Sequence, residues 1–317
     1  MPTHLILLIV ALLVGLGLLG AYAYKPRTPE IDKTPIVTTN TVPSPKPVVT
    51  AVTEPSIFIN PSVIQQGELA LITVEGLTST SSVKSFTFDN RPLVTFLYDG
   101  KVTALLGVDV RAATGTFPLL LTLKDGKQVR KNFSIQPRPL IQASFGIPDK
   151  LGGNTPQAER ELLSTLRDEA RIINAIPTSM EKLWSEDFGS PLSGTLSVSD
   201  AFGYTRITGN STLIHKGVDL IAPMGTPIYA MNRGVVRFSG FLRNYGNAVV
   251  IDHGFGLQTV YMHLSETSAT NGQTVEKGGL IGKSGDTGYV LDPHLHLTVR
   301  IWDVSVDPIK FLEILGE

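Results

Sequence analysis

The chain has 317 residues, 42% hydrophobic and 17% charged, with a formal net charge of -1. That is length for about two ordinary domains and a globular composition, with no basic excess to draw it to nucleic acid. It contains no cysteine, which excludes disulfides, thiolate metal sites, cysteine nucleophiles and lipid attachment through a thiol.

The first predicted element is an uncharged apolar run, Leu5 to Ala23, that stops before Lys25 and Arg27. It is long enough to cross a bilayer, and Ala21-Tyr22-Ala23 has the small-x-small form of a signal peptidase site. Residues 1–23 are therefore expected to be a signal peptide or a membrane anchor, and both readings stay open. Export to the periplasm or cell envelope follows from either. Residues 24–55, with Pro43-Ser44-Pro45-Lys46-Pro47, are rich in Pro, Thr and Val and are expected to form an extended linker.

From 56 to 137 short β-prone runs recur: Leu69 to Val74, Val83 to Phe88, Leu93 to Tyr98, Val102 to Val110, Phe117 to Lys124 and Gln128 to Ile135. Asp99-Gly100 and Asp125-Gly126 lie between pairs of runs, where type I′ hairpin turns want residues that tolerate positive φ. The expectation is a small antiparallel β-sandwich, immunoglobulin-like in outline, serving for spacing, docking or inhibition, or as a passive module. Residues 138–186 form a connector with one helix. Thr155 is its N-cap and Pro156 its first residue, Leu162, Leu166, Ala170 and Ile173 recur at helical spacing, and it ends before Pro177. Residues 187–317 read as Gly-punctuated β-strands, so the fold class is mainly β.

Of six histidines, all but His4 lie between His215 and His296. In the stretch His294 to Ile301, alternation puts His294, His296, Thr298 and Arg300 on one strand face and Leu295, Leu297, Val299 and Ile301 on the other. The same alternation in Thr259 to Leu264 puts Thr259, Tyr261 and His263 together against Val260, Met262 and Leu264. His215-Lys216-Gly217-Val218-Asp219 reads as a loop histidine and an aspartate at a strand start, with Gly217 letting the backbone turn. With no thiolates, a metal would be held by imidazole nitrogen and carboxylate oxygen, and two histidines with one aspartate fit the three protein ligands of a catalytic zinc.

His215 to Asp219, Tyr261-Met262-His263-Leu264 and His294-Leu295-His296, in that order, resemble the LytM or lysostaphin-type zinc metallopeptidases, peptidoglycan endopeptidases. The similarity spans roughly Phe188 to Phe311. Supporting matches include Phe202-Gly203-Tyr204, Gly246-Asn247, Gly285-Asp286-Thr287-Gly288 and Val306-Asp307-Pro308. The resemblance implies Zn²⁺ held by His215, Asp219 and His296, with His263 and His294 as unligated catalytic imidazoles, and peptide cross-links of bacterial peptidoglycan as substrate. It also carries an alternative, a catalytically silent member that binds or activates other wall hydrolases, but every ligand position is filled here. Asp292-Pro293 and Leu297 replace the family's usual Gly-Pro and aromatic beside His-x-His, so Asp292 is expected to bear on substrate choice. His253 is read as structural, and Asn210 as a turn residue, with an inhibitory metal contact the other reading.

Overall fold

The computed structural model describes residues 54–139 and 141–317. The apolar run and almost all of the Pro/Thr-rich stretch lie outside them. Among the described residues, no helix is long and apolar enough to cross a membrane.

Two sheets make up the N-terminal region. One pairs Ser56–Asn60, Leu69–Glu75, Lys101–Gly107 and Phe96–Tyr98 in that order, and the other pairs Val63–Gln65, Gln128–Gln136, Gly115–Leu123, Val83–Phe88 and Arg91–Pro92. Alternating residues from both sheets, among them Ile72, Ala104, Leu119, Leu121 and Phe133, fill one apolar cluster. The pairing is not purely antiparallel, because Val63–Gln65 runs parallel to Gln128–Gln136. At the first expected turn both Asp99 and Gly100 have positive φ, 47° and 68°, as a type I′ hairpin requires. At the second only Gly126 does, at 91°: the Leu123 amide bonds the Lys127 carbonyl, a wider loop that needs a single left-handed residue.

Helix α1 (Pro156–Asn174) begins as its sequence dictates, the Thr155 hydroxyl accepting from the Ala158 amide at 3.2 Å. Its apolar face does not join the main core. Leu162 packs with Ile147, Ala158 and Tyr289, and Ile173 with Val250, Val260 and Met262, so α1 lies across one face of the C-terminal sheet. Polar clamps hold it there: the buried Glu169 carboxylate accepts from the Asn244 and Tyr245 amides at 2.9 and 3.2 Å, and Glu159 accepts from the Asn210 amide and the Ser211 hydroxyl.

The C-terminal sheet runs Val198–Asp200, Val218–Leu220, Leu295–Ile301, Leu257–Thr267, Gly246–Gly254, Gly234–Leu242 and Thr274–Val275, each pair antiparallel. On its other face Leu295, Leu297, Val299 and Ile301 enter the largest apolar cluster, which also takes Leu69, Phe96 and Leu105 from the four-stranded N-terminal sheet and Phe311 from helix α2 (Pro308–Leu315). Asp307 caps α2 and accepts from Arg138, whose guanidinium also donates to the Gln66 and Phe202 carbonyls.

Candidate metal and catalytic site

The site is built where three segments meet. His215 follows the strand Ser211–Ile214, and its backbone is fixed from both sides, its amide donating to the Tyr204 carbonyl and its carbonyl accepting from the Gly203 amide. Asp219 sits in the middle of Val218–Leu220 rather than at a strand start, directly opposite His296 on Leu295–Ile301. Cross-strand partners stand about 5 Å apart at Cβ, so this register alone brings the two side chains together. Gly217 serves by close approach rather than by positive φ: a Cβ there would lie 2.5 Å from both His296 Nε2 and the Leu297 carbonyl.

His215 Nε2 lies 3.0 Å from Asp219 Oδ1 and 3.0 Å from His296 Nδ1, and His296 Nδ1 lies 2.7 Å from Asp219 Oδ1. All three residues are buried. The surrounding bonds fix the tautomers. His215 Nδ1 faces the Ala201 carbonyl, an acceptor only, and must carry the proton. The Thr298 hydroxyl donates to the Lys216 carbonyl and therefore accepts from His296 Nε2–H. Two imidazole lone pairs and a carboxylate oxygen thus converge with no proton between them, an arrangement that only a cation stabilises in a buried setting. The donor set suits Zn²⁺, which takes imidazole nitrogen and carboxylate oxygen with three protein ligands in catalytic sites.

Protonation behaviour agrees. Burial alone would lift the Asp219 carboxyl, but the imidazoles of His215, His294 and His296 crowded against it hold it well below the usual carboxylate range. Burial pulls His296 down to about 4 and His263 well below an ordinary imidazole, neighbouring imidazoles adding to the effect. Both stay neutral at pH 7. His294 goes the other way, since hydrogen bonding and attraction to Asp219 outweigh its burial and raise it.

His263 and His294 stand beside the cluster, their ring centroids 5.1 Å apart, with His263 5.7 Å from His296. His263 Nδ1 donates to the Thr287 carbonyl at 2.9 Å and His294 Nδ1 to the Asp292 carbonyl at 2.8 Å. His294 Nε2 lies 3.4 Å from Asp219 Oδ1. Simple alternation places His263 wrongly. Tyr261 and Leu264 both enter the main core, whereas His263 joins Val260 and Met262 in lining the site cavity. The cause is a β-bulge: Leu264 pairs with Asn247 and Tyr261 with Val249, one extra residue on the histidine strand, with His263 at φ 63°. A bulge puts two successive side chains on one face and re-aims the second.

The cavity, about 290 Å³, lies between this sheet face and α1, whose Leu166, Ala170 and Ile173 form one wall. Two contributors carry no spacing signal in the sequence. Arg206 donates to Asp219 Oδ2 and to Asp200 while lying over the Phe145 ring, and it neutralises the oxygen that points away from the cluster. Thr287, in a stretch that matches the family, supplies the carbonyl that orients His263. The glycines around it are packing requirements, since a Cβ at Gly246 would meet the Thr287 backbone and one at Gly288 the Asn244 carbonyl. His253 lies fully buried away from the cluster, bonded to the Arg233 carbonyl and Thr259. Asn210 is a hairpin turn residue whose amide meets Glu159.

Residues 213–308 match Peptidase family M23. The chain is 42% identical over 114 residues to the DD-carboxypeptidase/endopeptidase Mpg of Neisseria meningitidis, a match covering 36% of this chain and 26% of that protein. It is also 42% identical over 96 residues to the peptidoglycan DD-endopeptidase ShyA of Vibrio cholerae, covering 30% of this chain and 22% of that one. The matched part is thus about a quarter of those relatives' length. A crystal structure from Pseudomonas aeruginosa, assigned to peptidase M23, superposes with a TM-score of 0.58 at 25% identity, over 80% of this chain and 95% of that one. The His-Asp-His cluster lies within the residues that match peptidase family M23.

Proposed function

We propose that the protein is a zinc metalloendopeptidase that hydrolyses peptide cross-links of bacterial peptidoglycan, the D,D-type bond being favoured by the two relatives. The observation that carries the reading is the convergence of His215 Nε2, Asp219 Oδ1 and His296 Nδ1 with their lone pairs turned inward. These three would hold zinc, which when bound brings a water pKa to about 7 and polarises a carbonyl. His263 and His294 would then handle protons. With Nδ1–H committed to the Thr287 carbonyl, neutral His263 offers Nε2 as the acceptor for the attacking water's proton. His294, held by the Asp292 carbonyl, would carry a proton to the departing amine or stabilise the developing oxyanion. Asp292 thereby acts through its backbone, and its exposed side chain would bear on substrate choice.

In this reading residues 187–317 are the peptidase domain, 138–186 a connector that walls the cleft, and 56–137 an immunoglobulin-like sandwich that braces it. Residues 24–55 are a linker and 1–23 an export signal or inner-membrane anchor, which fits a substrate outside the cytoplasm. The experiment is to incubate the purified chain with peptidoglycan sacculi and follow released peptides by mass spectrometry. Release of cut cross-links, abolished by a chelator and restored by zinc, is expected. A zinc-loaded chain that releases nothing would favour the silent regulator instead.

A further inference from the structure

Arg300 lies on the strand that carries His296, on the same face and about 13 Å farther along at a rise of about 3.3 Å per residue. Its side chain lines the same cavity as His215, His263 and His296 and is only 3% exposed. Other sheltered arginines meet acids: Arg138 pairs with Asp307, Arg206 with Asp219 and Arg237 with Asp252. Arg300 has neutral partners, the Ile173 carbonyl at 3.0 Å and Asn174 Oδ1 at 2.7 Å. Those bonds use two of the five N–H donors of a guanidinium. Asp303 lines the cavity too and its charge acts on the guanidinium, but no ion pair joins the two among the described residues, and a buried cation without a directly paired acid is costly to keep. Its desolvation is strong enough to pull the guanidinium below its ordinary value.

The neutral partners belong to the last turn of α1, and a helix C-terminus attracts a cation. A clamp on α1 would account for those two bonds alone. It does not account for a planar bidentate donor facing a cavity that opens onto the peptidase centre, where lysine or a neutral amide could hold a helix end as well. We infer that Arg300 is a specificity-determining residue, reading a free carboxylate on a peptide arm of the substrate while the scissile bond lies at the imidazoles. The occupant is an acidic peptide whose carboxylate takes the remaining guanidinium donors in a charge-assisted pair. The inference rests on the hydrolase reading above and specifies its substrate.

The test uses the full zinc-loaded chain and two cross-linked stem-peptide dimers of one sequence, one with free carboxylates and one amidated. A discrimination of about tenfold in kcat/KM for the acid, expressed in KM, is expected for a charge-assisted contact of about 1.5 kcal/mol. Arg300→Gln should close the gap between the two dimers by raising KM for the acid, and Arg300→Lys should restore part of it. Asn174→Ala, which removes only a helix-side partner, should keep the preference. An equal acid-to-amide ratio in wild type and Arg300→Gln, or a loss that falls alike on both dimers, would leave Arg300 a clamp on α1 and overturn the inference. Should neither dimer be cut, the hydrolase reading fails. Calorimetric binding of the two dimers then decides this point separately: tighter binding of the acid, lost in Arg300→Gln, sustains it, and equal binding ends it.

Discussion

His296 and His263 both line the cavity, yet removing them should do different things. His296→Ala takes away one of three converging donors and strands Asp219 and His215, so zinc content by atomic absorption should fall from about one ion per chain toward none. His263→Ala touches none of the three donors. It should keep its zinc and lose turnover by about 10²–10⁴, the usual worth of a general base. His253 answers to pH instead. Its folded value of about 4 lies below the ordinary imidazole value of 6.5, because burial disfavours the cation. The unfolded chain therefore takes up the proton first, so this contribution to stability is complete above about pH 6.5 and drains away as pH falls toward 4. Thermal melts of metal-stripped wild type across that window should drop more steeply than those of His253→Asn; parallel profiles would contradict the assignment.

At the scale of elements, the strand Leu295–Ile301 was legible because both its faces are chemically distinct: every second residue is aliphatic and enters one core. Helix α1 was legible for a similar reason, since Thr155, Pro156 and a helical apolar stripe all agree. The His263 strand was legible as a strand but not in its facing, because nothing in Tyr261-Met262-His263-Leu264 announces a left-handed histidine and an extra residue. Arg206 is not legible in the sequence, because its partnership with Asp219 is made by the hairpin Thr205–Thr208 and Ser211–Ile214, a contact with no sequence period. The sequence suggests only a turn at Gly217. Its value is the absence of a Cβ against the His296 ring and the Leu297 carbonyl, so Gly217→Ala must push the metal strand away from the loop. Zinc affinity measured by competition with a chromogenic chelator should fall by about 10–100-fold, as for disturbed outer contacts of metal ligands, and an unchanged affinity would show that the strand gives way freely.

Across the whole molecule, the described N-terminal sheets and the C-terminal sheet are not beads on a string. Leu69, Phe96 and Leu105 share a core with Leu297 and Phe311, and the Asp307 amide bonds the Gly67 carbonyl. A sequence read segment by segment divides these parts because each has its own strand texture, while the packing that joins them depends on which faces meet. One consequence is that the metal strand is braced from behind by both regions, which keeps His296 and Asp219 in register. The most direct test is a crystal structure of the full chain grown with zinc, read by anomalous scattering at the zinc edge. The account predicts one ion within about 2.0–2.2 Å of His215 Nε2, Asp219 Oδ1 and His296 Nδ1, with a position left for water. A folded, zinc-saturated chain with its ion elsewhere, or with none between those atoms, would contradict it.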